Sequence, residues 1–145
     1  MKNVIAEIEV SYSASSVKME KITSADKAYS VLLSSWSLQR IELQEEFKVL
    51  LLNRANNVLG IYPLSRGGSS GTVVDMKLLF AVALKCNASG IIICHNHPSG
   101  NCKPSDVDVT LTRKVKNCAE LLDIQFLDHL IISKQGYYSF QSEGF

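Results

Sequence analysis

No apolar run in this 145-residue chain approaches the ~20 residues that a helix needs to cross a bilayer. The opening MKNVIAEIEV carries one lysine and reaches a glutamate at position 7, which is no secretory leader. The cytoplasm is therefore the expected compartment, with no membrane partner. Charge of one sign is lacking too. Fifteen basic residues against fourteen acidic ones give a net charge of +1, evenly spread, without the basic stripe of a domain built to grip a nucleic-acid backbone. The four cysteines, Cys86, Cys94, Cys102 and Cys118, form no C-x-x-C pair, so a zinc ribbon is excluded and free thiols are expected. No internal repeat, low-complexity tract or proline-rich linker divides the sequence, and one domain over residues 1–145 fits the length.

What is present is interleaved strand and helix patterning. Val4, Ala6, Ile8, Val10 and Tyr12 alternate with Ile5, Glu7, Glu9 and Ser11, the period of a half-buried strand. Ser24, ahead of residues 25–33, reads as an N-cap and an amphipathic helix. Residues 47–53 (FKVLLLN) form a predicted buried strand, 54–57 turn the chain, and 58–64 return as its hairpin partner. The loop RGGSSG, residues 66–71, lacks the G-K-[ST] ending of a P-loop and reads as a flexible connection rather than an anion cradle. Thr72 or Asp75 then caps a helix to about Cys86. Residues 90–94 (GIIIC) are short and wholly apolar, as in the middle of a sheet covered on both faces. Residues 96–104 read as irregular. Ser105 opens a helix to about Leu122, and strands follow at 126–132 and 137–140 around a turn at 134–136. This alternation predicts an α/β fold, a three-layer mixed β-sheet with flanking helices.

The chain has three histidines, and two of them, His95 and His97, stand at i, i+2 directly after the strand at 90–94. Residues two apart on extended backbone project to the same side, so both imidazoles can converge on one ion. Cys94, of opposite parity, turns into the core. A bare His-x-His is more often coincidence in a polar loop than a site, and the residues that follow change its weight. Pro98, Gly100 and Pro104 stiffen a turn that brings a helix start back beside the histidines, where Asp108 can supply a third ligand. Imidazole nitrogens with a carboxylate oxygen are the normal donor set of a catalytic zinc that keeps a fourth position open. Ser105-x-x-Asp108 also matches a capping box, in which both side chains satisfy free N–H groups at the helix start. Asp106 reads as a solvated first-turn acid. His129, beside Asp128 in a strand, reads as a hydrogen-bonded structural residue outside the ligand set.

The run from His95 to Asp108, HNHPSGNCKPSDVD, contains H-x-H, seven residues, then S-x-x-D. This spacing is similar to the signature of JAMM (JAB/MPN) metalloproteases, and H-N-H-P-S-G followed by P-S-x-x-D resembles their bacterial RadC branch. The likeness extends over about residues 45–133, including the segments VLLLN and LDHLIIS. It implies a cytidine-deaminase-like (JAB/MPN) fold and one zinc ion (Zn2+) per chain, held by His95, His97 and Asp108. It also implies metallopeptidase or isopeptidase chemistry on a peptide or protein substrate. By the same resemblance Ser105 helps stabilise the developing oxyanion, and a glutamate at the start of the first core strand is the general base. Glu45 and Glu46 both stand there. Glu46 shares a strand face with Lys48, whereas Glu45 shares one with Phe47 and Val49, the more coherent inward set. A glutamate two before phenylalanine is also the RadC-like arrangement, so Glu45 is the expected base. RadC proteins carry a DNA-repair label, and a helix-hairpin-helix DNA-binding region usually precedes their domain. These 145 residues contain no such region, and a short form without it is expected.

Other readings fit this sequence less well than amide hydrolysis. Phosphodiester cleavage commonly uses two metals ~3.5–4 Å apart, which needs more carboxylates around the histidines than this sequence supplies. A zinc nucleobase deaminase needs H-x-E and P-C-x-x-C, but position 97 is His and no C-x-x-C exists. The alternative to the hydrolase is a RadC-like DNA-repair-associated protein that processes DNA or binds without catalysis. The balanced charge predicts that this chain binds duplex DNA only in the non-specific range, a Kd of ~10⁻⁴–10⁻⁶ M at physiological salt. Anisotropy titration checks this, and sub-micromolar affinity with a steep salt slope would bring DNA processing forward.

Overall fold

The computed structural model describes residues 4–14, 19–68 and 72–145. In chain order the elements are α1 (Ala25–Ser34), β1 (Glu46–Leu52), β2 (Val58–Arg66), α2 (Met76–Lys85), β3 (Gly90–Asn96), α3 (Asp106–Leu121), β4 (Gln125–Ile132) and β5 (Tyr137–Ser139). The five strands form one sheet in the order β2-β1-β3-β4-β5. β1 runs antiparallel to β2 and β3, and β4 to β5, while β3 and β4 are parallel. Parallel neighbours need a crossover connection, and α3 supplies it.

Side chains alternate across a strand, and both faces of this sheet are covered. Phe47, Val49 and Leu51 of β1 and Ile91 and Ile93 of β3 pack against α2 and α3. Leu50, Leu52, Ile92 and Cys94 face the other way, onto Ala28 and Leu32 of α1. The expected three-layer arrangement is therefore realised, with the unbroken apolar run of β3 explained by burial on both sides. Each helix starts at a side-chain cap, which satisfies N–H groups that have no partner within the helix. Ser24 Oγ accepts from the Lys27 N–H at 3.1 Å. Of the two candidates for α2, Asp75 is the cap, accepting from the Leu78 N–H at 3.0 Å, while the Thr72 hydroxyl lies 3.0 Å from that of Ser65. All four cysteines are free. Among the described residues no helix is long and apolar enough to cross a membrane.

Two expectations need correction. The alternating segment at 4–12 forms no strand: Val4, Ile5, Ile8 and Val10 are between 69% and 95% exposed, and the described segment touches the domain through the Tyr12 hydroxyl, which donates to the Leu59 carbonyl at 3.2 Å. Alternation is a local property, whereas a strand persists only where a neighbour completes its ladder. The second correction lies in β3, which continues through His95 and Asn96 instead of ending at Cys94. Residues 69–71 of the RGGSSG loop lie outside the described residues.

The extension of β3 has a purpose that Asn96 shows. Its parity is opposite to that of His95 and His97, so it turns to the other side of the sheet, where it is fully buried. There Oδ1 accepts from the Glu46 N–H at 2.7 Å, and Nδ2 donates to the carbonyls of Ile41 and Gln44 at 2.7 and 2.9 Å. The amide thus holds the segment that leads into β1. Removing it strands buried backbone groups, each costing about 1–3 kcal/mol, so Asn96→Ala is expected to lose at least about 2 kcal/mol of stability. Leu121→Ala, at a position 85% exposed, should change stability by less than about 0.5 kcal/mol. Urea unfolding of the two variants beside the parent chain measures both, and an unchanged midpoint for Asn96→Ala would refute the clamp.

Candidate metal centre

β3 delivers the two histidines. His95 is paired with Phe47 across β1, and the backbone stays extended one residue beyond the strand, since the His97 N–H donates to the Ile132 carbonyl at 3.2 Å. Both imidazoles consequently emerge on the face occupied by α2 and α3. His97 Nδ1 lies 2.8 Å from the Asn101 carbonyl, which can only accept, so this nitrogen carries the proton and in the neutral ring Nε2 is left with its lone pair. The residues between the histidines and α3 fold back so that the first turn of the helix meets them.

The structure brings all five predicted site residues together. His95 Nε2 and His97 Nε2 are 3.1 Å apart. Asp108 Oδ1 lies 3.2 Å from His95 Nε2, and its Oδ2 lies 3.2 Å from His97 Nε2. Glu45 Oε1 is 3.6 Å from His95 Nε2, and single donor atoms of Glu45, His95 and His97 all fall within 4.8 Å of one another. Ser105 lines the same cleft, its Oγ accepting from the Asp108 N–H at 3.1 Å. The group opens into a cleft of about 440 Å³ whose apolar wall is formed by Phe47, Val74, Val107 and Leu111.

Asp108 caps its helix and faces the imidazoles at the same time. Its Oδ2 accepts from the Ser105 N–H at 2.9 Å, completing a capping box, while both oxygens face the imidazoles. Burial alone would raise its pKa, but the hydrogen bonds that His95 and His97 donate when Nε2 carries a proton outweigh burial and hold the carboxyl well below the usual range. The same contact raises the pKa of His97. Burial raises the pKa of Glu45, against the pull of the two imidazoles. Glu46 points the other way and is not at the site. It is buried there with Arg66 Nε at 2.9 Å and Arg40 at 3.9 Å, as its parity with Lys48 requires.

Lone pairs this close repel one another unless a proton or a metal cation lies between them. Bonds of about 2.0–2.1 Å around a tetrahedral zinc place its ligand atoms about 3.3–3.4 Å apart, close to the separations seen here. The donor set therefore fits such an ion. Sequence reasoning gave His129 and Thr112 no part in this site, yet both are fully buried beside it, with His129 Nε2 2.8 Å from His95 Nδ1. The available clue was the four-residue step from Asp108 to Thr112, which sets both on one face of a helix.

The family model described as a RadC-like JAB domain matches residues 22–145. Similar curated proteins include a UPF0758 protein of Flavobacterium johnsoniae, 46% identical over 88% of this chain and 55% of the relative. One from Porphyromonas gingivalis is 47% identical over 70% of this chain and 45% of the relative, and one from Thermotoga maritima is 38% identical over 86% and 54%. The chain spans about half the length of the curated relatives it matches. The HNHPSG and PSDVD segments that carry the resemblance lie inside the matched region, and the sheet, helices and donor cluster fit that assignment: the chain belongs to the RadC-like JAB domain family.

Proposed function

We propose that this chain is a zinc-dependent hydrolase that cleaves a peptide or isopeptide bond in a protein or peptide substrate. The observation that carries this reading is the convergence of His95 Nε2, His97 Nε2 and both Asp108 oxygens within 3.1–3.2 Å contacts, with a second carboxylate alongside at the base of a cleft. Two carboxylates contend for the third ligand position. Asp108 is favoured because it meets both imidazoles at once, whereas Glu45 approaches one of them at 3.6 Å. When bound, zinc supplies a Lewis acid that polarises a carbonyl and makes water acidic enough to attack near neutral pH.

The chain's own residues do the rest. Glu45 takes a proton from the attacking water and returns it to the departing amine nitrogen, a task that suits a carboxylate whose pKa is raised by burial. The Ser105 oxygen is already used as an acceptor by the Asp108 N–H, which leaves its hydroxyl proton to donate to an oxyanion forming in the cleft. Phe47, Val74, Val107 and Leu111 exclude water from one side and favour an apolar group next to the scissile bond.

Metal analysis of the purified chain should find close to one zinc, and the His95→Ala/His97→Ala double variant should retain none. Asp108→Ala is expected to weaken zinc binding, while Glu45→Gln keeps zinc and loses hydrolysis of peptide and isopeptide libraries by about 10²–10⁴-fold, the usual contribution of a general base. Loss of zinc from Glu45→Gln with retention in Asp108→Ala would exchange their roles. Stoichiometric zinc in the double histidine variant would end the assignment.

A further inference from the structure

His129 is the third histidine, and it reaches the site only through other residues. Its Nε2 lies 2.8 Å from His95 Nδ1, and its Nδ1 lies 2.6 Å from Thr112 Oγ1. The Thr112 hydroxyl in turn donates to the Asp108 carbonyl at 2.6 Å. His95, Thr112 and His129 are each 1% exposed or less, and the His129 ring stacks on Phe140 at 4.8 Å with 12° between planes, so water does not compete for these bonds.

A direction follows from which atoms can donate. A carbonyl oxygen only accepts, so the single hydroxyl proton of Thr112 is spent on Asp108. Toward His129 the same oxygen therefore accepts, and His129 Nδ1 carries the proton. In a neutral imidazole the other nitrogen is then a lone pair, so His129 Nε2 accepts from His95 Nδ1. A neutral His95 with its proton on Nδ1 presents a bare Nε2 to His97 and Asp108, the form that a metal requires. The opposite direction fails at its last step, because no second proton exists on Thr112 to satisfy a bare His129 Nδ1.

We propose that Thr112 and His129 are positioning residues that fix the His95 tautomer from a backbone carbonyl of the Asp108 turn, so that the two metal-facing side chains are set by one another before any ion arrives. This rests on the reading of His95 and Asp108 as metal ligands. It goes beyond that reading by assigning metal affinity to a threonine and a histidine that touch no metal.

The test uses the full chain with imidazole nitrogen NMR on metal-stripped protein and zinc affinity by chelator competition. In the parent chain His95 and His129 should each show the Nδ1-protonated tautomer. Thr112→Val keeps the shape and removes the hydroxyl; it should mix the His95 tautomers and weaken zinc about 10- to 100-fold, the usual loss when a ligand's outer partner is removed. Thr112→Ser, which keeps the hydroxyl, should restore both readouts. Should Thr112→Val not fold, the parent's tautomers and the serine variant still decide. Nε2-protonated His95 in the parent, or a folded Thr112→Val with unchanged tautomer and affinity, overturns the proposal. A parent chain with the expected tautomers but no zinc affinity would instead refute the metal reading and leave the directed chain of hydrogen bonds standing.

Discussion

β1 and β3 run antiparallel with Phe47 opposite His95, and the geometry of the whole site descends from that pairing. A slip of one residue in either strand would turn every side chain of that strand to the other face of the sheet. In the observed register the odd-numbered residues, from Glu45 to Leu51 and from Ile91 to His97, share the face toward α2 and α3, whereas Glu46, Lys48, Cys94 and Asn96 share the other. Strong burial on both faces is what makes the slip costly, since it would drive an imidazole and a carboxylate into the apolar layer over α1. The site is thus held by ordinary sheet energetics, and its polar atoms meet because the apolar ones have nowhere else to go.

Within that frame Asp108 is the most heavily used side chain. A carboxylate has lone pairs enough to accept from a helix N-terminal N–H and still face two imidazoles. The first turn of α3 also carries the positive end of the helix dipole, which favours negative charge at that position. A cap and a charged site are usually separate devices. Here the cap orients the charge, so the rotamer of Asp108 is fixed by the helix it starts.

Much of this was legible in the sequence, and the limits have physical causes. The apolar run of β3, the two-residue step between the histidines and the helix start at Ser105 are local patterns with short-range consequences, so fold class and donor cluster could be read directly. The choice of Glu45 over Glu46 rests on strand parity, with which the RadC-like spacing before Phe47 agrees. The segment at 4–12 misled because alternation cannot reveal whether a neighbour exists. Asn96 and Thr112 have no reading in the sequence and His129 reads only as a hydrogen-bonded structural residue, for a related reason: their partners lie 50 or more, 17 and 34 residues away and depend on strand register and helix phase, which no local pattern encodes. Asp108 reads as cap or ligand because the two signatures overlap, and in the structure it closes the capping box while both its oxygens approach the imidazoles.

The crossover from β3 through α3 to β4 carries a consequence for the order in which the domain becomes competent. His95, His97 and Asp108 come from one short stretch of chain, yet the ring that orients His95 closes only when β4 has docked beside β3 and brought His129 under it. Closing that loop costs chain entropy, which the strand pairing and the apolar packing of Val115 and Ala119 offset. A partly folded chain can gather the donors without aiming them. Correct geometry at the cleft is therefore a report that the parallel strand is in place, and maturation of the site coincides with completion of the sheet.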